Sequence, residues 1–209
     1  MSSPRIKLVC FDIGGVLVRL AAGWEDACVR AGVPLTPGDV EWEKHHPLMH
    51  KYERGHISTE EYFRGVDGCL KGISRQQFCG AFDAWLREMY EGAHELIEEL
   101  KAKGMMTACL SNTNDRHWQA LAGGSELYKP ILKLDHLFAS HEIREAKPDL
   151  AAYKAVENKL GLRSDEILFF DDREDNIEGA RAAGWNAERI TEHDAVKQER
   201  EYLKKYGVL

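Results

Sequence analysis

Short apolar runs alternate along the chain with helix-like stretches, and this alternation constrains the fold more than any other feature. The apolar runs cover residues 6–11, 105–110, 136–140, 166–170 and 185–190. A helical pattern at 93–104 places Leu96, Ile97 and Leu100 on one face and ends at Gly104. Strands that alternate with helices are typical of a parallel sheet. The sequence therefore predicts an α/β fold, a parallel sheet between two layers of helices.

The segment from about residue 20 to residue 90 has a different character. It is polar and aromatic, with repeated signals for helix starts. The spacing Ser-x-x-Glu at 58–61 and Ser-x-x-Gln at 74–77 is that of a capping box, and Thr-Pro at 36–37 predicts another helix start. We therefore predict that a small helical insertion interrupts the α/β core. The predicted boundaries are residues 1–19 and 91–209 for the core domain and 20–90 for the insertion.

Polar side chains directly follow three of the apolar runs. Asp12 follows the first run, Ser111 the second, and the pair Asp171 and Asp172 the fourth. In a parallel sheet, ligands bind outside the carboxyl ends of the strands. We expect these positions, distant in sequence, to meet in one crevice.

Neutral and cationic groups near this crevice predict an anion site. The Ser111 hydroxyl and the Asn112 amide are neutral donors for phosphate oxygens. Lys147 precedes Pro148, and proline is favoured at the first position of a helix. The Lys147 ammonium is thus expected at a helix N-terminus, where anions bind well.

The clustered carboxylates predict a cation. Burying Asp12, Asp171 and Asp172 together is costly unless a cation neutralises them, and Mg²⁺ prefers hard oxygen ligands. A carboxylate at Asp12 is suited to attack phosphorus and form an aspartyl-phosphate. Mg²⁺ and Lys147 would offset the charge of the transferring phosphoryl group. We therefore expect a phosphatase that acts on a small phosphorylated metabolite.

These motifs resemble those of a known superfamily. Asp12, Ser111, Lys147 and the Asp171–Asp172 pair match, in order, the four motifs of the haloacid dehalogenase-like (HAD) hydrolases, over about residues 6–190. The resemblance implies a Rossmann-like three-layer sandwich whose insertion is a C1-type cap that selects substrate. The stretches YERGHIS, LSNTN, KP and FFDDREDNIEGA look similar to the bacterial α-D-glucose-1-phosphate phosphatase type.

The resemblance also implies roles for individual residues. Asp12 is the nucleophile, Ser111 and Lys147 hold phosphate, and Asp12 and Asp172 bind Mg²⁺. Asp171 is a further ligand or a supporting residue, and the backbone carbonyl two residues after the nucleophile, at Gly14, is the third protein ligand. Two residues of the same motif, Asp175 and Asn176, resemble positions that support the metal; they are also plausible N-terminal caps for a helix at 177–184.

Gly14 stands where chemistry of this kind usually has a second acid. Glycine retains the carbonyl but lacks the side chain that protonates a leaving group, and such assistance is worth about 10²–10⁴-fold. The loss weighs least on esters with good leaving groups, such as a sugar anomeric hydroxyl, an enol or a phenol. We therefore expect activated phosphate esters as substrates, or another proton donor.

Two other functions compete with a phosphatase. A dehalogenase of the same fold also lacks the second acid and would use Asp12 to displace halide. It needs no metal, and Asp171–Asp172 argues against it; Arg19 is nearby but not at an obvious halide-binding position. A catalytically silent binding or regulatory module is disfavoured because the chain retains Asp12, Lys147 and both acids.

The insertion holds a histidine cluster and several large aromatic residues. The four histidines of 43–56 lack any fixed ligand spacing for zinc, and Pro47 is expected to interrupt a helix there. His50 or His56 is our candidate for the missing proton donor. The aromatic residues are expected to form the core of the insertion, with one or two against substrate: Trp24, Trp42, Tyr52, Phe63 and Trp85.

The composition indicates which binding partners and which cellular compartment to expect. The net charge of −7 argues against nucleic acid or an anionic membrane, and no apolar run approaches the length of a membrane span. The five cysteines are scattered, without a C-x-x-C pair, and no signal peptide is visible, so we expect a reducing cytoplasm. The sequence leaves the physiological substrate and the oligomeric state open.

Overall fold

The computed structural model describes residues 6–34, 38–191 and 193–209. Seven strands and ten α-helices are found among these residues. The strands are β1 (Leu8–Phe11), β2 (Val18–Leu20), β3 (Leu86–Met89), β4 (Met106–Ser111), β5 (His136–Ala139), β6 (Ile167–Asp171) and β7 (Asn186–Arg189). The helices are α1 (Trp24–Ala31), α2 (Trp42–Glu53), α3 (Thr59–Asp67), α4 (Arg75–Asp83), α5 (Ala93–Ala102), α6 (Asp115–Ala122), α7 (Ser140–Ile143), α8 (Leu150–Leu160), α9 (Glu174–Ala182) and α10 (Ala195–Lys205).

Five strands form one parallel sheet in the order β5-β4-β1-β6-β7. All five coincide with apolar runs of the sequence. Successive side chains of a strand point to opposite faces, so Val9 and Phe11 pack with α5 and α10 on one face. Leu8 and Cys10 pack with α8 and α9 on the other. The predicted three-layer α/β fold is therefore confirmed.

Helices α1–α4 lie in the segment between β2 and β3 and pack around an aromatic core of their own. Tyr52, Tyr62 and Phe78 are buried in this core, and Tyr52 and Tyr62 stack with their ring centroids 4.4 Å apart. Both predicted capping boxes are present, at Ser58–Glu61 and at Ser74–Gln77. The helix start predicted at 36–37 lies outside the described residues.

Helix α2 runs through Pro47, so the predicted interruption is wrong. Proline removes one hydrogen bond from a helix interior. Here the helix carries buried side chains on both sides of the proline, His45 and Tyr52, and their packing maintains it.

Two short strands that the sequence did not reveal connect the insertion to the sheet. β2 and β3 pair antiparallel, with Val18 opposite Met89 and Leu20 opposite Leu86. The chain thus leaves the core and returns to it at neighbouring positions. Among the described residues, no helix is both long and apolar enough to cross a bilayer.

Candidate active site

Three strand ends meet at one point of the sheet, as predicted. β1 lies between β4 and β6, and its residue Phe11 is in register with Cys109 on one side and with Phe170 on the other. Asp12, directly after β1, therefore lies level with Asp171 at the end of β6, and Ser111 at the end of β4 lies one residue beyond the position opposite Asp12. The Asp12 N–H donates to the Phe170 carbonyl at 2.7 Å, which continues the strand pairing up to the site.

Lys147 reaches this point from the loop between α7 and α8. Its side chain is fully buried, and its Nζ lies 3.0 Å from Asp12 Oδ1 and 2.6 Å from Asp171 Oδ2. The prediction that Pro148 opens the helix is wrong, because α8 starts at Leu150 and Asp149 precedes it in an extended conformation. The ammonium consequently contacts the two carboxylates rather than marking the helix N-terminus.

The Asn112 side chain is occupied by the backbone of Lys147. Its amide donates to the Lys147 carbonyl and its oxygen accepts from the Lys147 N–H. We expected Asn112 to offer its amide to a ligand, and in the structure this amide fixes the lysine loop instead. Ser111, by contrast, is buried at the end of β4 and lines the cavity described below.

The electrostatics of the site are dominated by burial of like charges. Burial above all, together with the charges of Asp171 and Asp172, raises the pKa of Asp12 to about 7, although Lys147 acts in the opposite direction. Burial alone would lower the pKa of Lys147, but Asp12 and Asp171 together raise it above its ordinary value. Three carboxylates around one ammonium leave an excess of negative charge.

The two adjacent acids occupy different environments. Asp171 is fully buried and accepts hydrogen bonds from Lys147, from the Arg173 N–H and from the Asn176 side-chain amide. Asp172 is partly exposed and lines the cavity, and burial raises its pKa, as does Asp171. Asp171 thus has its oxygens engaged by the protein, whereas Asp172 presents its carboxylate to the cavity.

The residues after this pair do not cap the next helix. Helix α9 starts at Glu174 with Arg173 at its cap position, so Asp175 and Asn176 lie in its first turn. The Asn176 side-chain amide donates to both oxygens of the Asp171 carboxylate, each at 3.0 Å. Asp175 pairs with Arg173 at 2.7 Å, which holds the pKa of Asp175 below its usual range.

Gly14 and Gly15, which follow Asp12 and Ile13, each lie close to the side chain of another segment. Gly15 has a φ of +74°, and a Cβ there would lie 2.6 Å from the Asp172 carboxylate. A Cβ at Gly14 would lie 2.8 Å from Leu20 Cδ1, and Leu20 lines the cavity. A side chain at position 14 would therefore require the Leu20 side chain to shift.

Among the described residues, one group of side chains is suited to hold a metal ion. Asp12, Asp171 and Asp172 have carboxylate oxygens within 4.8 Å of one another. Asp12 Oδ1 is buried and, despite its ion pair with Lys147, accepts no hydrogen bond of good geometry from the described residues. A buried acceptor of this kind is suited to a ligand atom or a cation. The histidines of the insertion form no such group within the described part of the chain.

The strand ends form the floor of a cavity of about 780 Å³, and the insertion forms much of its wall. The floor is polar and includes Asp12, Ser111, Lys147 and Asp172. The wall is largely apolar; its residues are Leu20, Trp24, Trp42, Met49, Phe78, Phe82, Trp85 and Leu86. Of the aromatic residues assigned to the core of the insertion, Tyr52 and Phe63 are buried there. Trp24 and Trp42 pack against that core and, with Trp85, also line this cavity.

Neither predicted proton donor lines the cavity. His50 accepts a hydrogen bond from Arg54, and His56 lies away from the lining residues. His45 and His117 do line it. Burial lowers the pKa of His45 to about 4, and its ring is 2.7 Å from the Tyr62 hydroxyl.

Arg19 lies outside the cavity lining. Its guanidinium stacks on the Tyr90 ring at 4.2 Å and its Nε lies 3.7 Å from Glu88. It is therefore not placed to hold a halide beside Asp12.

Sequence reasoning missed Glu53 as a lining residue. This acid is the last residue of α2 and reaches the cavity from the insertion. The stretch YERGHIS contains it, but whether a residue at a helix end faces the cavity depends on how α2 docks onto the core.

A family model described as haloacid dehalogenase-like hydrolase matches residues 6–184 of the chain. A phosphatase of Mycobacterium tuberculosis is 35% identical over 100 residues, which cover 47% of this chain and 44% of that protein. An (S)-2-haloacid dehalogenase of Burkholderia cepacia is 33% identical over 101 residues, which cover 48% and 42%. The matched stretches thus span less than half the length of either relative.

A solved structure resembles most of the chain. It is a HAD family enzyme of Bacteroides thetaiotaomicron, in complex with magnesium and inorganic phosphate. It has a TM-score of 0.74 and 25% sequence identity, and the match covers 89% of this chain and 94% of that one.

Proposed function

Because the chain belongs to the haloacid dehalogenase-like hydrolase family, we propose that it is a Mg²⁺-dependent phosphatase of small phosphorylated metabolites. One observation carries the proposal: three carboxylates and one buried ammonium meet at the carboxyl edge of the sheet, on the floor of a cavity. Two similar proteins support it: the Mycobacterium tuberculosis phosphatase, and the Bacteroides thetaiotaomicron enzyme whose structure contains magnesium and inorganic phosphate.

The residues present fit a divalent cation. Asp12 and Asp172 offer carboxylate oxygens to the cavity, and Asp12 Oδ1 has no hydrogen-bond donor of good geometry among the described residues. Oxygen donors of this type suit Mg²⁺, which keeps waters and substrate oxygens in its remaining positions. We infer that Asp12, Asp172 and the Gly14 carbonyl would hold the ion, and that Asp171 acts by holding Lys147.

The chain's own residues account for binding and transfer. Ser111 and Lys147 would bind the phosphate oxygens, and the Asp12 carboxylate would attack phosphorus to form an aspartyl-phosphate that water then hydrolyses. The buried Lys147 ammonium would offset the charge of the phosphoryl group. A bound Mg²⁺ would add further neutralisation of that charge.

The insertion at 20–90 would act as a cap that selects the substrate. Its three tryptophans line the cavity, and the flat face of a sugar or an aryl group packs well on aromatic rings. Because Gly14 supplies no acid beside Asp12, we propose that esters with good leaving groups, such as a sugar 1-phosphate, are hydrolysed fastest. A cytoplasmic location remains our prediction.

A dehalogenase is the second candidate, because a relative of similar identity carries that name. The cluster of three carboxylates disfavours it: a dehalogenase needs no metal, so a carboxylate substrate would place a fourth negative group among them without a cation to neutralise it. Arg19, which would be needed near the site, is engaged elsewhere. A silent binding module would not need Asp12 buried beside Lys147 on the cavity floor.

Phosphate release from glucose 1-phosphate, glucose 6-phosphate and p-nitrophenyl phosphate, with and without Mg²⁺, tests the proposal. We expect activity that requires Mg²⁺, favours the 1-phosphate and the aryl ester, and disappears in Asp12→Asn. Phosphate release that persists in Asp12→Asn would contradict the nucleophile. Release of chloride from a 2-chloroacid, without phosphate release, would favour the dehalogenase.

A further inference from the structure

A phosphatase with glycine at position 14 still has to protonate its leaving group. The titratable residues that line the cavity outside the cluster on its floor are His45, His46, Glu53, His117, Arg173 and Asp175. A group that performs this step has to face the cavity, be free of other partners and be held at a fixed place above the floor.

Glu53 is held in place by contacts between the end of α2 and the core. The Ser140 hydroxyl lies 2.6 Å from the Glu53 carbonyl and 2.9 Å from the Thr113 carbonyl, and it accepts from the Thr113 N–H at 2.9 Å. Thr113 is two residues beyond Ser111, so one hydroxyl connects the backbone of Glu53 to the loop that follows β4. A Cβ at Gly55 would lie 2.1 Å from the His141 carbonyl, which shows how closely the two segments approach.

The Glu53 carboxyl itself has no hydrogen bond and no ion pair with any residue of the described ranges. The two cations that act on its pKa are engaged elsewhere: Arg54 pairs with Asp149 at 2.7 Å, and Arg173 pairs with Asp175 at 2.7 Å. A carboxyl that lines a cavity without a counterion or a donor is available to a ligand.

The other titratable groups that line the cavity contact neighbouring residues of the protein. His45 contacts the Tyr62 hydroxyl, and the His117 ring lies 2.8 Å from the Phe82 carbonyl; burial lowers the pKa of both. Asp175 is fixed as an anion by Arg173. His46 is exposed and stacks against Trp42, with 6.0 Å between ring centroids, on the insertion's own side of the cavity.

We propose that Glu53 is the acid and base that replaces the side chain absent at Gly14. The proposal rests on the phosphatase function proposed above. In the first step Asp12 forms a bond to phosphorus, the ester P–O bond breaks, and the Glu53 carboxylic acid gives its proton to the departing oxygen. In the second step the Glu53 carboxylate takes a proton from water, whose oxygen bonds to phosphorus as the bond to Asp12 breaks. The products are the alcohol and inorganic phosphate, and both acids return to their starting states.

The ionisation of Glu53 suits both steps. Burial raises its pKa to about 7, and Arg173 and Arg54 moderate this increase. An acid whose pKa is near the working pH is populated in both protonation states.

Glu53→Gln, which keeps the size and removes the acid, tests this role with two substrates and a rapid-mixing instrument. With p-nitrophenyl phosphate, whose leaving group needs no proton, we expect a burst of nitrophenol followed by turnover about 10²-fold slower than that of the unchanged enzyme. With an alkyl phosphate, both the burst and the turnover should be lost. Glu53→Asp, which retains a carboxyl, should recover part of the turnover. Glu60→Gln, at an exposed acid of α3, is the control and should behave as the unchanged enzyme.

The outcomes separate the two proposals. A Glu53→Gln variant equal to the unchanged enzyme on both substrates would overturn the role of Glu53 and leave the phosphatase intact. A higher KM with the same kcat on both substrates would overturn it in favour of a binding role. Absence of phosphatase activity in the unchanged enzyme, or full activity in Asp12→Asn, would overturn the phosphatase and with it the role of Glu53.

Discussion

The Asn112 side chain and the Lys147 backbone are joined by two hydrogen bonds across 35 residues of sequence. Asn112 Nδ2 donates to the Lys147 carbonyl at 2.7 Å, and the Lys147 N–H donates to Asn112 Oδ1 at 2.9 Å. The residue after the serine of β4 therefore positions the loop that carries the lysine. The groups of two separate segments that we propose to bind phosphate are thus joined to one another.

Asn112→Ala should separate these segments. Loss of two hydrogen bonds should lower the free energy of unfolding by about 1–3 kcal/mol and weaken inhibition by inorganic phosphate. Urea unfolding and inhibition constants measure the two effects. The Asn112→Asp side chain can accept a hydrogen bond but cannot donate one. The stability of this variant and its inhibition by phosphate should therefore lie between those of the unchanged protein and those of Asn112→Ala. Unchanged phosphate inhibition in Asn112→Ala would contradict a positioning role.

Gly15→Ala should damage the site more than the fold. Alanine at a φ of +74° costs about 1–2 kcal/mol, and its Cβ would also displace the Asp172 carboxylate. Gly161→Ala is the matched control, because its φ is +65° and nothing lies within 4 Å of the added Cβ. Both variants should lose similar stability in urea unfolding, but Gly15→Ala alone should need more Mg²⁺ for half-maximal phosphatase activity. Equal Mg²⁺ requirements would show that Asp172 tolerates the shift.

Lys147→Met should be strongly destabilising. It leaves Asp12 and Asp171 buried without their cation, and removing one partner of a buried ion pair costs about 3–5 kcal/mol. Lys129→Met, which breaks an exposed pair with Glu126, should cost less than about 1 kcal/mol. Urea unfolding in EDTA compares the two variants. A loss as small as that of Lys129→Met would mean that the carboxylates do not depend on Lys147.

Glu199 should make the protein less stable as the pH rises. It is fully buried in α10, neither of its oxygens accepts a hydrogen bond from the described residues, and burial raises its pKa to about 8. In the unfolded chain its pKa is about 4.3. Between these values the folded state keeps a proton that the unfolded state has lost. The stability from this group is complete below about pH 4 and is lost towards pH 8, by up to about 1.4 kcal/mol per pH unit.

Glu199→Gln should remove that dependence. Urea unfolding at pH 5 and pH 8 should show a smaller decrease for Glu199→Gln than for the unchanged protein, and the comparison cancels the other titrating groups. Glu201→Gln, at an exposed position two residues away, should retain the decrease. Identical pH dependence in all three proteins would exclude Glu199 as the cause.

The sheet and its functional edge were accessible from the sequence because each depends on local pattern. Asp12, Ser111 and Asp171 follow buried strands, and parallel strands bring such positions together. The strands β2 and β3 were missed because Val18–Leu20 and Leu86–Met89 contain charged residues and form no separate apolar run. Glu53 was missed for a different reason: its facing depends on the docking of α2 against Ser140 and His141, which is a tertiary property. Pro148 was misplaced because the chain stays extended at Asp149.

The pairing of β2 with β3 also makes the segment between them exchangeable. Because Leu20 lies opposite Leu86 in one antiparallel ribbon, the two cut ends left by removing that segment would be neighbours across a strand pair, about 5 Å apart. A short hairpin turn spans such a gap, and so does any helical graft that begins and ends in a similar ribbon. We therefore expect that the segment between β2 and β3, which forms much of the cavity wall, can be replaced without altering the register of the five-stranded sheet.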